Sequence, residues 1–335
     1  MIKLAIDLGS TMTKIYRADT NGGIVLAEPS CVVVKGADQE VKAVGKEAKN
    51  LVGKTAGETK IVYPVYEGVI VDMRLATVML KDFLSRIGSY KGALKRAQIL
   101  IGVPCGLQGA AMEGYKTLVE ECDLRNVRFV ETPYLVALGS GAVLSDSDPV
   151  FCLDIGGGVT NAAVVSANGI ISGIAINVGG NNMDANIISK LFNEKGLLIG
   201  ALTAERIKNE IGSLSVNALG TMVAEGSSTE NCQPASVSVQ ATELTECIRV
   251  YVDKILEYAM GVLYGLPAEV AAAVNRNGVY LSGGVMKLSH VPQYISMKLG
   301  MRYHLFEESQ FVSVLGGGML LNDKDFLNRF SQKAN

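Results

Sequence analysis

Two aspartates, Asp7 and Asp154, stand 147 residues apart in almost the same local pattern. The first lies in Leu4-Ala5-Ile6-Asp7-Leu8-Gly9-Ser10-Thr11-Met12-Thr13-Lys14, the second in Phe151-Cys152-Leu153-Asp154-Ile155-Gly156-Gly157-Gly158-Val159-Thr160-Asn161. Each is an apolar run ending in Asp, then one apolar residue, glycine and small residues. β-formers return at Ile15-Tyr16 and at Ala163-Val164-Val165. The pattern predicts two strands joined by a tight turn, with the carboxylate at the end of the first strand. Glycine lets backbone come close to a ligand, and free N–H groups in such a turn form an anion-binding nest. A carboxylate beside that nest repels a bare phosphate but suits one arriving with a divalent cation. Mg²⁺ keeps several waters and is shared between carboxylates and substrate phosphates. Two such hairpins facing each other would clamp a metal–nucleotide from both sides. A lone Asp-x-Gly turn is commonly structural; the repeat carries the argument.

Other candidates are weaker alone. Val279-Tyr280-Leu281-Ser282-Gly283-Gly284 is a strand ending in a Gly-Gly turn, suited to a sugar or flat base, and equally to tight packing. Glu205 and Lys208, three apart in the helix predicted over Thr203–Ile211, share a face, and spacing alone makes them a surface ion pair. Gly53-Lys54-Thr55 resembles the end of a P-loop, but Ala48 stands where the motif needs glycine, so a solvated loop is expected. Gly139-Ser140-Gly141 follows no strand directly and fails as a dinucleotide fingerprint.

The elements around these residues alternate. The first hairpin continues through Ile24–Leu26 and a strand over Pro29–Val34 as a meander, and residues 35–75 form a small, more polar insertion. A helix over Ala76–Ile87 carries Val78, Leu80, Phe83 and Leu84 on one side and stops at Gly88. Ala97–Pro104 is a continuous apolar run, expected as a strand buried on both faces. A helix over Gly109–Glu121, a strand over Val127–Val130 and a helix from Pro133 to about Leu144 complete an α/β layer. Ser145–Pro149 is a polar break and the expected domain crossing. Beyond it come a second meander to Val178, a helix over Met183–Phe192, and a Ser/Thr/Asn-rich hairpin within 213–240. Thr242–Tyr264 has the strongest helical stripe, with Leu244, Ile248, Val252, Ile255, Ala259 and Val262. A glycine-rich closing helix is expected at Val314–Leu321.

The chain's 335 residues suit two domains of ordinary size. A formal net charge of −2 argues against nucleic acid as a partner. Six cysteines without a CxxC pair point to reduced thiols and a cytoplasmic location. His290 and His304, with no HExxH arrangement, do not make a zinc hydrolase.

Two Asp-bearing hairpins followed by a late Gly-Gly turn resemble the actin-like ATPase superfamily. Within it, the series Ile6–Ser10, Glu28-Pro29-Ser30, Ala43–Lys49, Gly68-Val69-Ile70 with Asp72, Gly102-Val103-Pro104, Asp154–Gly158, Ala204–Gly212 and Leu281–Gly284 resembles the MreB/Mbl-type rod-shape proteins over nearly the whole chain. The resemblance implies an α/β actin-like fold, with two similar domains flanking a nucleotide cleft. It assigns 1–34, 76–146 and 312–335 to one domain core, with 35–75 as its insertion. It assigns 147–180 and 242–311 to the other core, with 181–241 as its insertion. It implies ATP and Mg²⁺ as cofactors: Asp7 and Asp154 hold the metal through water, while Gly9, Ser10, Thr11 and Met12 face Gly156, Gly157 and Gly158 around the phosphates. Glu205 and Lys208 then meet ribose and adenine, against the spacing-only reading, and Gly283, Gly284 and Val285 lie against the adenosine. Lys14 replaces the family's usual apolar residue and resembles the phosphate-contacting lysine of eukaryotic actin.

The resemblance also implies self-assembly into filaments in the cytoplasm, possible membrane association of the filament, and cell-wall or membrane proteins as partners. Around Ser89–Ala97 the loop offers only Ala93-Leu94 among basic residues, so membrane binding is expected to be weak and to need many copies. Relatives carry a water-positioning glutamate before the proline that opens the next helix; here that residue is Thr132, with Glu131 one place earlier. A threonine follows their Gly-Gly-Gly; here Val159 does, with Thr160 next. Slow hydrolysis is the expectation, with Thr132, Glu131 and Thr160 as the candidate catalytic residues. The alternatives are an actin-fold kinase for a small substrate, which would need its own catalytic base, and a plasmid- or organelle-positioning filament.

Overall fold

The computed structural model describes residues 1–19, 22–52, 59–87, 94 and 96–334, with backbone alone at Lys324 and Phe326. Gly53-Lys54-Thr55, Gly88 and most of the 89–97 loop lie outside the described residues.

Two large sheets are built by the same rule. The first has the order Gln332–Lys333, Val127–Glu131, Gln98–Val103, Lys3–Leu8, Met12–Arg17, Gly23–Pro29. The second has the order Gly169–Ile176, Thr160–Ser166, Val150–Ile155, Val279–Ser282, Tyr303–Leu305. In each, the Asp-bearing strand pairs antiparallel with its hairpin partner on one side and parallel with a crossover strand on the other. The register sets Asp7 opposite Lys14 and Asp154 opposite Asn161. Repetition in sequence is therefore repetition in topology. Strands buried on both faces need unbroken apolar runs, and Leu4-Ala5-Ile6 and Phe151-Cys152-Leu153 supply them.

Helices Met73–Ile87 and Gly109–Glu121 bury Leu80, Phe83, Tyr115 and Leu118 on the outer face of the first sheet. Helix Ala241–Tyr264 buries its whole expected stripe, with Cys247 and Leu256 besides, against the second. A third core lies between the sheets, where helices Thr132–Gly139 and Val312–Asn322 pack with Ala5 and Leu100 of one sheet and Cys152, Ala163 and Val165 of the other. These helices meet backbone to backbone. A Cβ on Gly139 would sit 2.0 Å from the Val312 carbonyl oxygen, and one on Gly316 would sit 1.8 Å from that of Leu135. Five of the six cysteines are buried and all six are unpaired.

The structure departs from the sequence reading in places. Val32–Lys35 does not continue the first meander. It joins Glu40–Val44 and Thr59–Val62 in a separate sheet that carries the short helix Lys46–Leu51, and so straddles the expected boundary at residue 34. The chain leaves the first sheet at Ser30, whose hydroxyl is bonded to Thr13 Oγ1 at 2.8 Å. The helix after Pro133 ends at Gly139 rather than near Leu144, where Gly141 takes φ +73° and turns the chain. Helices Ala268–Asn277 and Val291–Leu299 lie outside the elements expected from the sequence. The hairpin expected within 213–240 is present as Thr221–Ser228 and Pro234–Gln240.

Candidate functional site

The two hairpin turns face each other across a cavity of about 570 Å³. Asp7, Asp154, the residues Gly9–Met12, Lys14, Gly156–Gly158, Glu205, Lys208 and Gly283–Val285 all line it. The turns touch: a Cβ on Gly157 would lie 1.9 Å from Thr11 Oγ1, and one on Gly158 would lie 2.7 Å from Ser10 Oγ. Thr11 Oγ1 donates to Asn181 Oδ1 at 3.2 Å, at the start of helix Gly180–Lys195. Gly283 holds φ +95°, with its Cβ position 2.1 Å from the Ile155 carbonyl oxygen, so this turn requires glycine.

Each carboxylate is held from two sides. Asp7 Oδ2 accepts from Lys14 Nζ at 2.8 Å and from Ser313 Oγ at 3.0 Å. Asp154 Oδ1 accepts from Ser282 Oγ at 2.6 Å, and its Oδ2 lies 3.4 Å from Asn161 Nδ2. Burial pushes the Asp154 carboxyl upward from the ordinary carboxylate range; Ser282 opposes this and the nearby Asp7 adds to it. Asn161 Oδ1 also accepts from the Cys105 N–H at 2.9 Å, tying the second hairpin to the end of a first-sheet strand. Among the described residues, no group of three or more His, Cys, Asp or Glu side chains could hold a metal ion. Two carboxylates on one cavity, one with neutral donors only, fit a cation that brings water and phosphate oxygens with it. They do not fit a metal caged by protein.

At the other end, Glu205 and Lys208 do not pair with each other. Lys208 Nζ donates to Asp184 Oδ2 at 2.8 Å and to the Gly180 carbonyl at 3.0 Å, within the cavity wall. Glu205 pairs at 2.6 Å with Lys49 of helix Lys46–Leu51, 156 positions away in the chain. Neither partner was visible in the helix spacing. Burial pushes the Asp184 carboxyl up to about 6, with Lys208 opposing. The native protein therefore binds a proton that the unfolded chain has released between about pH 4 and pH 6, and this group's contribution to stability falls as pH rises through that window. Urea unfolding should show wild type gaining on Asp184→Asn by on the order of 2 kcal/mol between pH 7 and pH 4.5. A pH-independent difference between the two proteins would contradict the assignment.

The candidate catalytic residues separate. Thr132 lines the cavity, its hydroxyl donating to the Val103 carbonyl at 3.0 Å. Glu131 does not line it; as the last residue of its strand, paired with Val103, it accepts from the Gly106 N–H. Thr160 is fully buried in its strand and donates to the Val178 carbonyl at 2.7 Å. The candidacy of Glu131 and Thr160 is thereby corrected: both side chains are committed elsewhere, and the side chain of Val159, which lines the cavity, is apolar. Sequence reasoning missed Asn161, Asp184 and Ser313. Aligning the two hairpins would have found Asn161, since it occupies the place of Lys14; Asp184 and Ser313 carried no signal.

A family model described as MreB/Mbl protein matches residues 1–329. The chain belongs to the MreB/Mbl family. It is 31% identical to the cell shape-determining protein MreB of Escherichia coli over 329 residues, covering 95% of this chain and 92% of that one. It is 30% identical to Mbl of Bacillus subtilis over 325 residues, covering 97% of each. Among solved structures, MreB5 of Spiroplasma citri bound to AMPPNP superposes with a TM-score of 0.90 at 27% identity over 98% of each chain. A MamK double helical filament subunit shares the fold at a TM-score of 0.76 and 19% identity, over 96% of this chain and 99% of that one. The actin-like α/β fold expected from the sequence is thus the fold of this MreB/Mbl member.

Proposed function

We propose that this MreB/Mbl-family protein binds ATP with Mg²⁺ between its two hairpins, assembles into cytoplasmic filaments that serve cell shape, and hydrolyses ATP slowly. The observation that carries the reading is the meeting of two register-equivalent Asp hairpins on one cavity with glycine-lined turns. The match to a relative solved with AMPPNP and with ADP supports the choice of ligand. In this reading Gly9–Met12 and Gly156–Gly158 hold the phosphates, Glu205 and Lys208 face the ribose and base, and Gly283–Val285 lie along the adenosine. Mg²⁺, when bound, supplies charge neutralisation of the phosphates. Slow turnover follows from Thr132, whose hydroxyl is already donated to Val103, and Val159, whose side chain has no polar group. Groups that orient the attacking water act mainly in the transition state, so their absence lowers turnover and spares binding. Membrane contact, in this reading, rests on the many copies in a filament, because Leu94 packs against the first core.

Sedimentation with ATP, with ADP and without nucleotide tests assembly, and pelleting above a critical concentration is expected with ATP. A monomer at every concentration overturns it. Phosphate release from wild type should be roughly 10²-fold or more below that of the Thr132→Glu, Val159→Thr double variant. Equal rates would remove the slow-hydrolysis reading.

A further inference from the structure

Lys49 does not line the cavity, yet it holds a residue that does. Its helix, Lys46–Leu51, is anchored to the small sheet by Ala48, fully buried against Cys31, Val33 and Ala43. From there the Lys49 ammonium comes within 2.6 Å of Glu205 Oε2 on helix Ala201–Ile211. Glu28, beside the start of the Lys49 helix, accepts from the Lys46 N–H at 2.6 Å and faces Arg86 at 3.4 Å, so it leaves Lys49 to Glu205. Lys208, one turn along from Glu205, is committed to Asp184 and the Gly180 carbonyl. We propose that Lys49 is a positioning residue for the nucleotide: it pins one oxygen of Glu205 and leaves the other to accept from a ribose hydroxyl. This rests on the nucleotide reading above.

The pair does two things for a nucleotide. Lys49 takes Oε2 alone, so Oε1 keeps its acceptor capacity at the cavity that Glu205 lines. A glutamate without a partner would lose rotamer freedom on meeting the sugar; held by Lys49, it has lost that freedom already in folding. The ammonium also offsets a carboxylate charge that would otherwise repel the nucleotide's phosphates. Two other hydrogen bonds across the cavity, Thr11 to Asn181 and the Cys105 N–H to Asn161, join neutral groups. Salt screens a pair whose side chains are 29% and 25% exposed, and leaves those neutral bonds unaffected. A contribution of the ribose hydroxyls that fades with salt is therefore the signature of Lys49.

Calorimetric titration of the full chain with ADP and with 2′,3′-dideoxy-ADP, in excess Mg²⁺, gives a ratio of dissociation constants that measures what the ribose hydroxyls contribute. Wild type should favour ADP by roughly 10-fold or more, as expected of a hydrogen bond to a charged group. Lys49→Ala should lower that preference roughly 3- to 10-fold, the usual cost of ordering a loose side chain at the moment of binding. Lys49→Arg, which keeps the charge, should restore it, and thermal melting confirms that each variant is folded. In 0.5 M KCl the wild-type ratio should fall toward that of Lys49→Ala, whose own ratio should not move. If Lys49→Ala misfolds, the salt series on wild type decides: a falling ratio supports the proposal and a flat one overturns it. Equal weakening of both nucleotides by Lys49→Ala, or no weakening, overturns the proposal and leaves the nucleotide reading intact. So does a wild-type ratio near one. Wild type that binds neither nucleotide removes both readings.

Discussion

Asp154→Ala should weaken ATP binding in Mg²⁺ by roughly 10- to 100-fold, the usual cost of removing a group that holds a metal through its outer shell, and leave binding in EDTA nearly unchanged. The carboxylate lies deep in the cavity, where burial and the neighbouring Asp7 both disfavour its charge. Two neutral donors hold it, Ser282 and Asn161. A divalent cation relieves that penalty, and a bare phosphate would worsen it. The carboxylate therefore helps the nucleotide only through the metal, and without metal its removal takes away a repulsion. Titration calorimetry in the two buffers decides the matter: equal losses in both would make Asp154 a structural residue of its turn.

Gly316→Val should produce the largest change in stability, about 3 kcal/mol or more, at the upper end of what overpacking a core costs. The position faces the Leu135 carbonyl, 1.8 Å from where a Cβ would stand, and Gly139 N, 2.8 Å away. Backbone atoms of a packed helix cannot swing aside as a flexible side chain can. The two helices would have to separate, opening the third core between Ala5 and Leu100 on one side and Cys152 and Ala163 on the other. Gly261, inside helix Ala241–Tyr264, is the control, because a Cβ there meets nothing within 4 Å. Gly261→Ala should stabilise by about 0.4–1 kcal/mol. Melting of Gly316→Val together with wild type would show that the helices pack with more freedom than their glycines indicate.

The sequence made local and repeated features legible. Both hairpins are carried by short-range signals: an apolar run, a turn glycine, and a return to β-branched residues. The stripe on Ala241–Tyr264 and the buried run at Gln98–Val103 are likewise written in neighbouring residues. Features that depend on partners distant in the chain were hidden. Lys208 finds Asp184 across 24 positions, and Glu205 finds Lys49 across 156, so helix spacing could only pair them with each other. The departure of Val32–Lys35 into its own sheet was equally silent, because a strand's residues do not name its neighbour. Glu131 illustrates a finer limit. Its place one residue before Thr132 was plain, but its engagement with the Gly106 N–H depends on how the loop after Val103 folds back.

The first and last described strands share one sheet. Lys3–Leu8 runs through its middle, while Gln332–Lys333 pairs along the edge of Val127–Glu131. Ala334 N–H donates to the Val127 carbonyl, and Arg128 holds Leu327, Asn328 and Ser331 in place. A fluorescent reporter inserted next to either of these strands would therefore pull on the sheet that carries Asp7. The turn at Glu230–Cys232, exposed and part of the small hairpin, offers a label a site outside both sheets that carry the aspartates. Imaging of this protein in living cells should be built on an internal insertion there.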